Sequence, residues 1–224
     1  MPDTLSRSPF SPNLEDMPAC IPVFPLPGVL LLPGGKLPLN IFEPRYLVMT
    51  QDALATDRLI GMIQPAEAGE ADTPCLQRTG CAGRITSFSE TEDGRFLITL
   101  TGVARFHVEQ ELESRSGYRR VVADWCSFAD DFKAAGDNLV LDRQRLMRGL
   151  KEYFEIQGIR ADWESIQNAE DCQLVTTLAM VCPFGPLEKQ ALLEAPTLQE
   201  RGETMLTLLE MAVHDPRDED YARH

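Results

Sequence analysis

The sequence has little of what most reaction chemistries require. Its 224 residues include three histidines, His107, His214 and His224, and no G-x-S-x-G elbow, so a serine hydrolase has neither its motif nor a well-placed base. Gly35-Lys36 is followed by leucine, and no glycine stands five residues before Gly35, which excludes a P-loop. The six cysteines (20, 75, 81, 126, 172, 182) are scattered, with no C-x-x-C and no H-x-x-x-H. They are expected to be reduced thiols, with no metal and no cofactor. A Cys–His pair of His107 with Cys81 or Cys126 is the one enzyme arrangement left to weigh, and an exposed strand histidine is the simpler role for His107. No apolar run approaches the ~20 residues that cross a bilayer. Residues 1–18 lack the apolar segment of a secretory signal, and a cytoplasmic protein is expected. Positive charge is also scarce: 21 Lys and Arg stand against 35 Asp and Glu, a net charge of −14. That argues against a phosphate backbone as partner.

What is present is a chain of two textures. Residues 21–49 hold six prolines (22, 25, 27, 33, 38, 44) between short apolar runs, with glycines 28, 34 and 35 at the bends. Proline lacks an N–H and belongs at strand starts, edges and turns. The expected elements are strands at 21–25, 29–32 and 37–42, then a helix over 44–55 opened by Pro44, with Tyr46, Met49 and Leu54 inward. Residues 58–63 read as a strand and 64–74 as a polar loop. Asp93-Gly94 between β-prone runs predicts a hairpin. Residues 103–112 alternate apolar and polar, and 118–128 form a further strand. Short strands with Gly and Pro corners predict a closed or half-closed barrel.

From Leu139 the period becomes helical. Leu146, Leu150, Tyr153 and Phe154 share one face, and Leu174, Val175, Leu178 and Val181 another. Asp162 and Thr197 stand as N-caps, Pro186 opens a helix, and Leu198, Met205, Leu209 and Ala212 face inward in the last one. The expected organisation is a flexible tail (1–18), a β-rich barrel (19–128), a helical bundle of about five helices (129–214) and a charged tail (215–224).

The run PVFPLPGVLLLP (22–33) followed by LPLNIFEPRY (37–46) resembles the opening of the amino-terminal domain of Lon, the ATP-dependent protease. CAGRI (81–85), DGRFLITLTGVARF (93–106) and EKQALLE (188–194) with Thr197 and Arg201 are similar to its later parts, so the resemblance covers about residues 19–213. It implies an α+β fold, a PUA-like β-barrel subdomain followed by a small α-helical bundle. It also implies a non-catalytic module that holds polypeptide substrates, as a free-standing substrate-binding-domain protein without ATPase or protease motifs, acting as an adaptor for a proteolytic machine. The alternative is a small-ligand or RNA-binding PUA-like module. The candidate polypeptide-binding residues are Val29, Leu30, Leu31 and Phe42, provided they are exposed. A continuous run such as 29–32 more commonly marks a buried strand. Glu43, Pro44 and Arg45 are expected to form a structural corner.

Overall fold

The computed structural model describes residues 12–66, 74–133 and 139–214. The chain divides into two compact units, residues 1–136 with 183–193, and residues 137–182 with 194–224.

The first unit is built on six strands: β1 (Cys20–Pro25), β2 (Lys36–Ile41), β3 (Leu59–Pro65), β4 (Leu76–Glu90), β5 (Phe96–Arg115) and β6 (Tyr118–Asp124). They lie in the order β2-β5-β4-β3-β1-β6, and β5 pairs again with β6, which closes a ring of five strands. Only β1–β3 is parallel, and helix α1 (Pro44–Leu54) lies within the connection between those two strands. The 20 residues of β5 serve three ladders, residues 96–101 pairing with β2 on one side. Residues 96–107 pair with β4, and from His107 onward the strand pairs with β6. Register shifts at Ala82/Gly83 and Ile85/Ser87 give β4 the added coil that closure needs.

Phe106, fully buried, plugs the interior beside Trp125 at a ring separation of 5.6 Å. Ile21, Val23, Ile63, Ala82, Ala104, Val121 and Phe132 complete this core. The ring fits because its neighbours lack side chains: a Cβ on Gly80 or Gly61 would lie 2.6 or 2.9 Å from Phe106 Cζ. A five-stranded barrel is narrow enough for side chains alone to fill it.

Several expectations need correction here. Residues 29–32 form no strand. A turn follows them, with Gly35 N donating to Leu32 O (2.9 Å), and β5 holds that turn: Gly34 N donates to Gly102 O (3.0 Å) and Gly102 N to Gly35 O (2.8 Å). The separately expected strands at 95–101 and 103–112 are one strand, because Gly102 is a contact point and not a break. The tail expected over 1–18 is anchored at its end: Leu14–Asp16 make a 3-10 turn, Leu14 and Met17 pack on the core, and Trp125 Nε1 donates to Pro18 O at 2.9 Å. Residues 1–11, 67–73, 134–138 and 215–224 lie outside the described residues, and with them most of that tail, the 64–74 loop and the charged C-terminal segment. In α1, Tyr46, Met49, Thr50 and Ala53 are buried, whereas Leu54 is only half-buried.

Helix α1 meets the barrel partly through Tyr118, whose hydroxyl donates to Asp52 Oδ2 at 2.7 Å. Burial first, then that hydrogen bond, raises the Tyr118 phenol above its ordinary pKa. A folded-state pKa above the unfolded one means the neutral phenol stabilises the fold fully below about pH 10, and that this is lost as pH rises through the folded value. Tyr118→Phe is expected to cost about 1 kcal/mol at neutral pH. It should also flatten the alkaline loss of stability, read by denaturant unfolding at about pH 7 and pH 10.5. An unchanged alkaline slope would count against this assignment.

The second unit contains α2 (Arg143–Ile156), α3 (Trp163–Asn168), α4 (Asp171–Val181) and α6 (Leu198–His214). The helix between the last two, α5 (Pro186–Glu194), groups through residue 193 with the barrel unit and not with the bundle, unlike the expected division. The reason is a buried polar strap within the barrel unit. Gln64, 3% exposed, donates to Pro186 O (2.9 Å) and Gln190 Oε1 (3.1 Å) and accepts from Gly28 N (3.1 Å). Gln190 Nε2 donates to Thr79 O (3.2 Å), and Lys189 Nζ to Gly28 O (2.9 Å).

In the second unit, Leu146, Leu150, Tyr153 and Phe154 are buried on α2, and Met205, Leu206 and Leu209 on α6. Asp142 caps α2 through Arg145 N, and Asp162 caps α3 through Glu164 N and Ser165 N. Thr197 Oγ1 accepts from Glu200 N at 3.1 Å at the start of α6. Arg143 donates to the carbonyls of Ile166, Gln167 and Ala169 at the end of α3, where the helix dipole favours a cation, and pairs with Asp171. Val181, expected inward, is 63% exposed at the last turn of α4.

Candidate functional site

The four nominated contact residues fall in different places. Leu30 and Leu31 are 2% and 1% exposed and Val29 is half-buried, while Phe42 is 63% exposed. Leu31 is turned into the barrel wall, where a Cβ on Gly83 would lie 2.7 Å from its Cδ2. Leu30 and Leu31 are therefore core residues and drop out of any binding surface.

Phe42 is held outward by its neighbours. It follows the last residue of β2, and Glu43 is the N-cap of α1 with Pro44 opening the helix. Proline at that position disfavours helical backbone in the residue before it, so the helix cannot extend back through Glu43. Arg45 pairs with Glu43 (2.8 Å) and lies over the Tyr46 ring (4.6 Å). Glu43, Pro44 and Arg45 thus define the strand-to-helix corner.

Two further apolar side chains are exposed on the adjoining strands: Phe88 on β4 (43%) and Leu97 on β5 (44%). The register ties them to Phe42. Ile41 pairs with Phe96, Glu90 pairs with Phe96, and Ser89 pairs with Leu97. Phe88 stands edge-on to the buried Phe96 at 5.0 Å. Phe88, paired with Ile98, stands on the same face as Phe96, whereas Leu97 alternates to the opposite face, so the exposed apolar side chains at this end of β2-β5-β4 do not form one surface. Leu97 was legible in principle: in residues 95–101 it is the apolar residue out of phase with buried Phe96, Ile98 and Leu100.

The outer edge of β2 is a poorer site. Its only strand partner among the described residues is β5. Since Gly102 N donates to Gly35 O, alternation turns the backbone groups of Lys36, Pro38 and Asn40 away from β5. Pro38 has no N–H to offer there, and Lys36 is exposed, so an added strand finds a blunted edge.

Around the exposed end, Arg95 pairs with Asp93 (2.5 Å) in the β4–β5 turn, while Glu90 and Glu92 are exposed. The hydrogen bonds from Arg95 and then Thr91 hold the Asp93 carboxyl down to about 2. His107 lies elsewhere, half-buried, with Nδ1 3.2 Å from Thr79 Oγ1 and its ring edge-on to Phe128. Cys81 is 1% exposed with its thiol toward the Ala82 carbonyl, so no substrate reaches it. Among the described residues no helix is long and apolar enough to cross a membrane.

The second unit has an open groove of about 800 Å³, lined by Phe154, Ile159, Leu174, Leu178, Val181 and Cys182, with Arg160, Asp162 and Glu164 on its polar side.

Comparison with known proteins bears on both units. A profile described as the ATP-dependent protease La (LON) substrate-binding domain matches residues 20–211. Lon protease 2 of Myxococcus xanthus is 28% identical over 206 residues, which is 88% of this chain and 24% of that protein. A Lon protease of Anaeromyxobacter dehalogenans is 28% identical over 204 residues, with the same coverage of both. The chain thus spans about a quarter of the length of these curated relatives. Among solved structures, the Lon N-terminal domain protein from Xanthomonas campestris superposes with a TM-score of 0.59 at 22% identity. It covers 84% of this chain and 97% of that one. The N-terminal domain of the Mycobacterium avium complex Lon protease gives 0.57 at 17% identity, covering 88% and 99%.

Proposed function

The chain belongs to the LON substrate-binding domain family, and from that premise we propose that it is a polypeptide-recognition module that acts by binding and not by chemistry. The observation that carries this reading is the family match over residues 20–211, and the exposed aromatic side chains Phe42 and Phe88 are the contacts we assign to it. Apolar side chains of an unfolded polypeptide would cover them, and the blunted β2 edge leaves side-chain contact as the main source of affinity.

The magnitude sets the mode of action. Fully burying a large apolar side chain is worth about 1.5–3 kcal/mol. Both residues are already partly covered, so the gain is roughly 2–3 kcal/mol before ordering costs are subtracted. A module of this kind holds its substrate weakly and exchanges it quickly. That suits a cytoplasmic protein that passes exposed apolar segments to a proteolytic machine, the partner we propose. The rival reading as an RNA-binding module is opposed by the net charge of −14.

The test is binding of a fluorescently labelled, permanently unfolded polypeptide to the wild type and to Phe42→Ser/Phe88→Ser. The double variant is expected to bind about tenfold more weakly, since two partly exposed apolar contacts are lost, with its melting temperature little changed. Equal affinity would remove this surface from the proposal, and no binding by the wild type would overturn the reading itself.

A further inference from the structure

The open groove of the second unit follows from a helix face left uncovered. Leu174, Leu178 and Val181 make one stripe along α4; the first two are 4% and 3% exposed, Val181 63%. Helix α3, which lines one wall, has six residues and buries none of them, so it covers too little of that stripe. Half-buried Ile159 lines the same groove. Gln173 and Thr177 stand one turn apart on α4 beside the stripe, and Asn168 ends α3. All three are exposed, and their side chains make no hydrogen bond among the described residues. Of the charged side chains on the rim, Asp162 has both carboxyl oxygens engaged in the α3 cap, by Glu164 N, Ser165 N and Ser165 Oγ. That leaves one cation, Arg160, and one anion, Glu164, to meet a ligand.

We infer that this groove is a separate contact site for the proposed polypeptide substrates, taking a short, extended, uncharged apolar segment. It rests on the reading of the chain as a polypeptide-recognition module, and it uses none of the residues assigned to that reading so far. Ile159 and Val181 supply the apolar surface still open to cover. Gln173, Thr177 and Asn168 supply the match to a peptide backbone, because an amide or hydroxyl side chain donates and accepts at once, as a peptide group does. A hydrocarbon tail in the same place would desolvate these three side chains and give them no partner. A charged headgroup would gain from one rim charge what it loses to the other.

The experiment titrates the full chain with a short peptide of Leu, Val and Ser, blocked at both ends so that it carries no charge, and follows it by NMR. The side-chain amide signals of Gln173 and Asn168 and the backbone signal of Val181 are expected to shift, in the wild type and equally in Phe42→Ser/Phe88→Ser. Gln173→Ala/Thr177→Ala, which changes two exposed side chains, is expected to weaken this binding about five- to tenfold, the loss of two hydrogen bonds, with the melting temperature little changed. Shifts confined to the surroundings of Phe42 and Phe88 overturn the inference and leave the polypeptide-binding reading intact. Groove binding that the alanine pair does not weaken overturns it too, as backbone recognition is then absent. So does a non-ionic detergent below its micelle concentration that shifts the groove signals where the peptide does not, which assigns the groove to a lipid-like ligand. Self-association in sedimentation velocity that Val181→Ser abolishes also overturns it, by making a second copy of the chain the occupant. No shift anywhere with the peptide overturns the reading and the inference together.

Discussion

Arg105→Ala is expected to lower the unfolding free energy by about 3–5 kcal/mol, the range seen when one member of a buried ion pair is removed. Arg105 is 4% exposed, on a strand position that alternation would make wet. Its guanidinium grips Asp131 with two bonds, Nε to Oδ2 at 2.9 Å and Nη2 to Oδ1 at 2.8 Å, and its backbone N–H adds a third at 2.9 Å. Nη1 donates to Leu193 O at 3.1 Å, and the cation lies 4.4 Å from the Phe128 ring centre. One side chain therefore fastens the 3-10 segment Cys126–Phe132 and the end of α5 to β5. Its loss leaves the Asp131 carboxylate, 10% exposed, without its cation. Arg105→Lys keeps the charge but cannot form the planar two-bond grip, and an intermediate loss is expected. Urea unfolding of the two variants measures this. A loss below about 1 kcal/mol for the alanine variant, the level of a surface pair, would show that the pair does not hold these elements.

The second large effect concerns Gly102. A Cβ there would lie 2.0 Å from Leu32 O and 2.7 Å from Leu32 C, both backbone atoms that no side-chain rotation can clear. Gly102→Ala must push the 29–35 segment off β5. That breaks the bonds between Gly102 and Gly34 and Gly35, and it loosens Leu30, Leu31 and Leu32, all at most 2% exposed. The expected cost is roughly 3 kcal/mol or more, at or above the usual range for overpacking because the obstacle is main chain. Gly94→Ala is the control. Its φ of +79° makes alanine strained, but a Cβ there meets nothing within 4 Å, so only about 1 kcal/mol is expected. Denaturant midpoints for both variants, with a dye that reports exposed apolar surface, separate the mechanisms. Equal losses would discard the close-approach account.

Both residues show where the sequence was silent. Arg105 sits in phase with solvent-facing neighbours, and Asp131 lies in a polar stretch that reads as a junction. Gly102 reads as a strand break, because the carbonyl that needs the space is 70 positions away in the chain. Gln64 and Gln190 look like loop and helix-surface residues, and only their mutual bond across 126 positions explains their burial. The site divides in the same way. Phe42 was found from the Pro-bounded motif around it, while Leu30 and Leu31 sat in a run whose exposure no local pattern decides. Phe88 and Leu97 emerged only when β2, β5 and β4 were laid side by side.

The sequence by itself determined the order and type of most elements. Proline spacing, the Asp93-Gly94 turn and the change from period two to a helical period after Leu139 are local signals, set by backbone geometry within a few residues. It also determined the family, through motifs spread over residues 20–211. Tertiary structure alone decided that β5 closes the barrel, that Leu30, Leu31 and Leu32 are core, that α5 groups with the barrel unit, and that Phe88 and Leu97 lie on opposite faces of their sheet. Each of these depends on which residues distant in the chain meet, and burial is a property of the pair that meets and not of either residue.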